Sequence, residues 1–481
     1  MSTTGPPIVL PDEVAVVNVG LPMFADAVRA QGRPVEHVDW RPPAGGRPDA
    51  IRALTRLYAG RGAEIDAANA EVLRRLDTGV PFLVGVAPAG EVVPGVSEAG
   101  GRVLLHCGPA IGWEQVADPL RRSMRAATVA EGWAVDTAGA DGLLASGAVR
   151  LEPANLHDTV VPMASAIGPT APVLVIEMST GDGTVRTFAP INQGPGEVPW
   201  FGRDTDAAIA RLRLLRDVAG PAVAAILART GPLDVLAMAA QGIAMGDDLH
   251  MRTQAATNLL VRTWLPHIAA LPEDSRQGFA DFLGGNHLFF LTLAMGAARA
   301  LTAWAGQVTG SSIVTTMSRN GTTFGIRLAG SDRWYVTDSP PVGEALYYSG
   351  YGPDDAAPDI GDSAVLELVG LGGPAAGNSP AVAAFLGGSM ADAARATEVF
   401  RRICVGASSR FTLPALGFSG TPVGVDVRAV VELGITPKVT TGILAAHSGV
   451  GQVGAGVATA PLDCFVAALL DLAGEDGGVA V

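Results

Sequence analysis

The stretch EVAVVNVGLPMFADAVRAQGRPVEHVDW, residues 13–40, sets the expected fold class. Residues 13–19 are an apolar run of strand composition that stops at Gly20. An amphipathic, helix-forming stretch follows to about Gln31, and RPVEHVDW then reads as a second strand. Strand, helix and strand in that order make a βαβ unit, which predicts a parallel sheet. GVPFLVGVA (79–87) and GRVLLHCGP (101–109) supply two further apolar runs, each bounded by glycine or proline. EIDAANAEVLRRLD (64–77) and WEQVADPLRRSMRAATVAEG (113–132) read as helices. The expected class is therefore α/β. A Rossmann-like domain spans 1–203, with residues 14–19, 35–39, 82–86 and 102–106 in one mostly parallel sheet. A mainly helical segment follows over 204–305. An α+β domain over 306–481 carries a β-hairpin and a glycine-rich C-terminal region.

Composition narrows the classes of function. The chain has 481 residues, 48% of them apolar, with 61 glycines and 34 prolines, which suits a folded protein with many tight turns. The 33 basic and 47 acidic residues leave a net charge of −14, a field that repels nucleic acid and anionic membranes. HLFFLTLAMGAARALTAWAG (287–306) is long and apolar, but Arg299 and internal glycines make it a buried helix rather than a membrane span. The N-terminus lacks the basic and apolar regions of a secretion signal. Cys107, Cys404 and Cys464 are widely separated and odd in number, which points to a reducing, cytoplasmic setting.

Several stretches could carry chemistry. Asn18 and Gly20 end the first strand where a backbone could approach a phosphate, and Asp39 ends the second where a ribose-binding acid would sit. The full glycine fingerprint is missing, so a cofactor-free scaffold competes with a nucleotide or coenzyme site. HCGPAIGWE (106–114) places Gly108 and Gly112 in a turn after a strand. His157 and Asp158 stand together in a loop, and GGNHLFF holds Asn286. In MGDDLHMR (245–252) a helical reading puts Asp248 and Arg252 on one face, where an i,i+4 ion pair accounts for both. No third ligand accompanies His250, and no metal is implied.

SSIVTTMSRNGTTFGIRLAG (311–330) has alternating apolar residues on either side of Asn320-Gly321, the strongest short hairpin signal. Arg319 would stand at its tip as an anion-gripping guanidinium. PDDAAPDIGDSAVLE (353–367) gathers Asp354, Asp355, Asp359 and Asp362 ahead of a helical run that Asp362 or Ser363 would cap. TGILAAHSGVGQVGAG (441–456) sets five glycines around His447 and Gln452, a density that marks close approach to a ligand or to another subunit.

The order of these motifs resembles the YlbE/YahG-like family over nearly the whole chain. The matching stretches are NVGLPMF, VDWRPPAGG, LHCGPAIGWE, EGWA, INQGPGEV, MGDDLHMR, NHLFFLTLAM, SRNGTTFGIRL, PDIGDSAVLE, SGTPVGVDVR and GVGQVGAG. A characterised branch of that family supplies a subunit of oxamate carbamoyltransferase. The resemblance thus implies movement of a carbamoyl group between phosphate and a small amide acceptor such as oxamate, a homo-oligomer, and partner subunits. Two departures stand out. Alanines occupy the family's His-Lys positions in GILAAHSGVGQ, with His447 displaced towards the glycines. The family's MGDExHNRN reads MGDDLHMRT, two side-chain amides fewer.

Carbamoyl transfer builds negative charge on a carbonyl oxygen and on leaving phosphate, and needs no cofactor. The candidate catalytic residues are Arg319, Asn320 and His447. The candidates for binding the anionic substrate are Gly108, Gly112, His157, Asn286, Asp359, Asp362, Gly451 and Gln452. A non-catalytic scaffold subunit, or an acyl-phosphate or coenzyme-dependent ligase using Asn18, Gly20 and Asp39, are the alternatives.

Overall fold

The computed structural model describes residues 16–38, 40–96, 101–385 and 388–474. Leu54, Leu57, Ile65, Val72 and Leu76 recur at helical spacing, and Pro48–Thr78 forms one helix of 31 residues. At 1.5 Å per residue it is about 46 Å long. Its first half packs with the C-terminal helix Leu462–Leu472, and its last turns join a second core that contains helix Phe290–Ala305.

Helix Phe290–Ala305 is apolar all round because it is enclosed all round: every residue except Ala303 is buried. It lies against strands Pro172–Thr180 and Gly183–Pro190. Arg299 is tolerated there because its Nη2 donates to Asp158 Oδ1 at 2.8 Å and to the Asn155 carbonyl at 3.3 Å. Among the described residues no helix is long and apolar enough to cross a membrane. Helices also fill most of residues 206–284, as the sequence implied.

The fold is a mixture of helices and several sheets, with an N-terminal parallel strand pair. The expected single parallel sheet is not present. Among the described residues Val16–Val19 pairs only with Val35–Val38. Phe82–Pro88 instead lies antiparallel to both Pro172–Thr180 and Leu233–Asp234. Val103–His106 belongs to a third sheet, parallel to Arg150–Pro153 and antiparallel to Ala166–Ile167. A continuous apolar run records burial on both faces, not the direction of the neighbouring strand. The long helix also carries the chain far from the first strand pair before the third run begins.

The hairpin is present: Val314–Asn320 pairs antiparallel with Thr323–Leu328 across a turn holding Asn320-Gly321. The first strand is buried at every position, since Ile360–Gly361 pairs on its other edge. Three further antiparallel strands, Val342–Tyr347, Gln452–Thr459 and Lys438–Leu444, make the glycine-rich C-terminal sheet. The larger core runs from Val72 to Leu444 and draws on all three segments marked out in the sequence.

Buried Asn69, inside the long helix, ties these parts together. Its Oδ1 accepts from Ser311 Oγ at 2.7 Å and from the Ser312 amide at 3.0 Å, while Nδ2 donates to Ser312 Oγ at 2.9 Å and Asp426 Oδ2 at 3.3 Å. Asn69→Ala strands several buried polar groups, each worth roughly 1–3 kcal/mol. The expected loss of unfolding free energy is about 2–5 kcal/mol, read by urea denaturation. An unchanged midpoint would show that this junction does not hold the helix to the hairpin.

Candidate functional site

PDIGDS (358–363) lies in the interior, and its two carboxylates organise everything around it. Asp359 forms a bidentate pair with Arg319, Nε to Oδ2 at 2.7 Å and Nη2 to Oδ1 at 2.9 Å. Its Oδ1 also accepts from Thr441 Oγ1 at 3.0 Å. Arg319 Nη1 donates to the Gly361 carbonyl at 2.6 Å. Both side chains of the pair are fully buried. Arg319 is therefore not an exposed guanidinium at a hairpin tip, because the tip itself is docked. Asn320 Nδ2 reaches the Pro109 carbonyl at 3.0 Å and its Oδ1 accepts the Thr322 and Thr323 amides, while Thr322 Oγ1 reaches the Gln115 carbonyl at 2.8 Å.

Asp362 accepts from the Gly108 and Val161 amides, each at 3.0 Å, and from Ser318 Oγ. Burial pushes its carboxyl up to about 6 despite these donors. It does not cap the following helix, whose first flanking residue is Ala364. Two glycines permit this closeness. Gly108 has φ +81°, and a Cβ there would come within 2.6 Å of Asn320 Cβ; Gly361 has φ +119°, with a Cβ 2.6 Å from the Met163 nitrogen.

MGDDLHMR forms a loop rather than a helix. Asp247 takes the Ala255 and Ala256 amides at the start of helix Gln254–Ile268 and pairs with Arg252 at 3.0 Å. Asp248 instead accepts the Met251 and Arg252 amides, and burial pushes it up to about 6. The expected Asp248–Arg252 ion pair is thus replaced by Asp247–Arg252. Leu249, held at φ +68°, lets the loop present His250. His250 Nδ1 lies 2.7 Å from Glu367 Oε1, a contact between residues 117 positions apart.

From this pair, His250 opens on a cleft lined also by Pro162, Met163, Trp200, Phe201, Met251, Leu288, Leu291, Ser363, Gly442 and Gln452. His250 Nε2 has no hydrogen-bond partner among the described residues. The carboxylate holds Nδ1 as a donor and leaves Nε2 basic, the arrangement of an oriented general base. The cleft thus joins segments from MGDDLHMR, PDIGDSAVLE and GVGQVGAG with the first part of NHLFFLTLAM.

Of the candidate residues from the sequence, Gln452 lines the cleft, with Nε2 donating to the Gly454 carbonyl at 3.0 Å. Gly451 adjoins it, and its carbonyl accepts the Ala445 amide. Asp359, Asp362, Gly108, Arg319 and Asn320 do not line the cleft; they belong to the buried network described above. Asn286 is buried and bonds the Asn192 carbonyl at 3.2 Å. His447 and Gly112 are exposed. Both His157 ring nitrogens are engaged, by the Pro94 carbonyl and by Glu152. Asn18 Nδ2 contacts His37 and the Leu21 carbonyl, and Gly20 is exposed beside it; Asp39 lies outside the described residues. His250 and Ser363, polar residues of the cleft wall, and Glu367 behind His250 were not selected by sequence reading.

The buried ion pair also makes Arg319 a stability residue, where an arginine at an exposed tip would contribute little. The substitution strands Asp359 in the interior, and breaking one side of a buried pair costs about 3–5 kcal/mol. Equilibrium unfolding should show that loss. A variant as stable as the parent would mean that Arg319 and Asp359 do not hold each other.

Comparison with known proteins places the chain. The family described as oxamate carbamoyltransferase subunit AllG matches residues 149–363. The oxamate carbamoyltransferase subunit AllG of Escherichia coli (strain K12) is 38% identical over 417 residues, covering 85% of this chain and 98% of that protein. The uncharacterized protein YahG of the same organism is 33% identical over 459 residues, covering 95% and 96% respectively. A crystal structure of a conserved protein of unknown function from Enterococcus faecalis V583 superposes with a TM-score of 0.82 at 33% identity, covering 86% of this chain and 98% of that one. The motif order read from the sequence and these similarities agree: the chain belongs to the family of the oxamate carbamoyltransferase subunit AllG.

Proposed function

We propose that the chain is a carbamoyltransferase subunit whose cleft hosts transfer of a carbamoyl group between phosphate and a small amide acceptor of the oxamate type. The observation that carries this reading is the His250–Glu367 pair opening on the cleft. In the carbamoylating direction the acceptor nitrogen attacks the carbonyl carbon, forming the C–N bond. His250 Nε2 takes the proton that nitrogen gives up. The bond from carbon to the phosphate oxygen breaks, and phosphate leaves with the electron pair. Glu367 stabilises the imidazolium formed in between. The reverse sequence carbamoylates phosphate. Apolar walls from Met163, Phe201, Leu288 and Leu291 exclude water that would hydrolyse the donor.

A second reading concerns who completes the site. No lysine or arginine is among the residues lining the cleft. Arg122 and Arg203 reach the loop beside it, at the His447 and Val450 carbonyls, but each also pairs with a carboxylate. A phosphate dianion needs cationic or amide donors. On this reading a partner subunit supplies them, and the chain contributes the acceptor half of a shared site.

His250→Asn should lower the turnover number by roughly 10²–10⁴-fold, the usual contribution of a positioned base. The assay is phosphate release from carbamoyl phosphate with oxamate as acceptor, by the chain alone and with its partner subunits. Activity only after reconstitution supports the shared site. An unimpaired variant under both conditions rejects His250 as the proton acceptor.

A further inference from the structure

Ser363 is 3% exposed, and its Oγ has no hydrogen-bond partner among the described residues. Several buried side-chain polar atoms among the described residues share that property, but Ser363 alone also lines the cleft with His250. A folded chain ordinarily satisfies such a hydroxyl, since leaving it unpaired is unfavourable. Asp362 is engaged by two amides and Ser318, and Glu367 Oε1 by His250 and the Gly373 amide, whereas Glu367 Oε2 is itself without a hydrogen-bond partner among the described residues. The backbone of Ser363 is fixed as well, because its carbonyl accepts the Leu366 amide at the start of the short helix Val365–Leu368. The hydroxyl is thus held on a rigid element, four residues before Glu367, with its donor unused. Unsatisfied, rigidly placed polar groups are what a site built for a ligand contains before the ligand arrives.

We propose that Ser363 is a catalytic residue that touches substrate: its hydroxyl donates a hydrogen bond to the carbonyl oxygen of the transferring carbamoyl group. The inference rests on the carbamoyl-transfer reading of the cleft. As the acceptor nitrogen bonds to carbon, the carbonyl oxygen gains negative charge, and the Ser363 O–H···O bond strengthens with it. The oxygen of Ser363 forms no bond to carbon, and its proton stays on Oγ throughout. His250 takes the proton from the acceptor nitrogen, so the two residues serve different atoms of one transition state.

The test compares Ser363→Ala with the parent, in complex with its partner subunits. The expected turnover number falls by about 10²–10³-fold, as for loss of one oxyanion donor. The thermal midpoint should hold or rise, because alanine removes a buried hydroxyl that the free protein leaves unpaired. Ser363→Thr, which restores a hydroxyl, should recover part of the rate. A lowered midpoint with an unchanged rate would make Ser363 structural and overturn the proposal. A carbamoyl group found on Ser363 by mass spectrometry would also overturn it, since the serine would then be a nucleophile. Calorimetry with carbamoyl phosphate separates this inference from the reading beneath it. A parent complex that neither binds nor turns over that compound rejects carbamoyl transfer itself. Equal binding and turnover by parent and variant reject only the role of Ser363.

Discussion

Two carboxylates three positions apart, Asp359 and Asp362, are buried together, and the rest of the molecule arranges itself to make that tolerable. A carboxylate taken out of water needs a cation or several donors. Arg319 and Thr441 serve the first; the Gly108 and Val161 amides and Ser318 serve the second. Those five residues come from four separate stretches of the chain. Satisfying the pair therefore draws together the hairpin, the turn after strand Val103–His106, the loop before Ala166–Ile167 and the C-terminal sheet. The short helix that follows Asp362 is fixed as a by-product, and with it Ser363 at the cleft and Glu367 behind His250.

Electrostatics in this site run against the simplest picture of an anion-binding pocket. The arginine nearest the centre is consumed by the fold, and the cleft wall is mostly apolar. What the wall does offer is one oriented imidazole, one hydroxyl and one carboxamide, groups suited to the neutral end of a reacting pair. A transferase divided among subunits can place phosphate recognition on one chain and acceptor chemistry on another.

Local chemistry was legible where it is local. Asn320-Gly321 announced its turn, and the unbroken apolar run around Arg299 announced a buried helix. Strand direction was not, since the apolar runs at 82–88 and 103–106 look the same in either sense. Exposure of a hairpin tip was not either: turn residues specify the bend but not what docks upon it, here Pro109, Gln115 and Ala117. The motif list includes segments that meet at the cleft, but it does not rank their residues. Arg319 drew notice because arginine at a turn suggests an anion, whereas His250 lacked a visible partner until Glu367 met it from 117 positions away. The helical reading of 245–252 failed because both aspartates bind backbone amides, and so favour a loop over a helix.

The long helix Pro48–Thr78 has a consequence for how the chain is made. Its Leu54, Leu57 and Ile65 belong to a core completed by Phe465, Leu469 and Ala473 near the other end of the sequence. Asn69 likewise waits for Ser311, Ser312 and Asp426. On a ribosome the helix emerges well before its partners, and part of its apolar stripe waits for cover until helix Leu462–Leu472 has been synthesised. At about 5–20 residues per second that interval is on the order of tens of seconds. Through it the nascent chain carries an uncovered hydrophobic face, which makes synthesis, rather than the finished fold, the stage at which this protein is most exposed to aggregation and most dependent on chaperones.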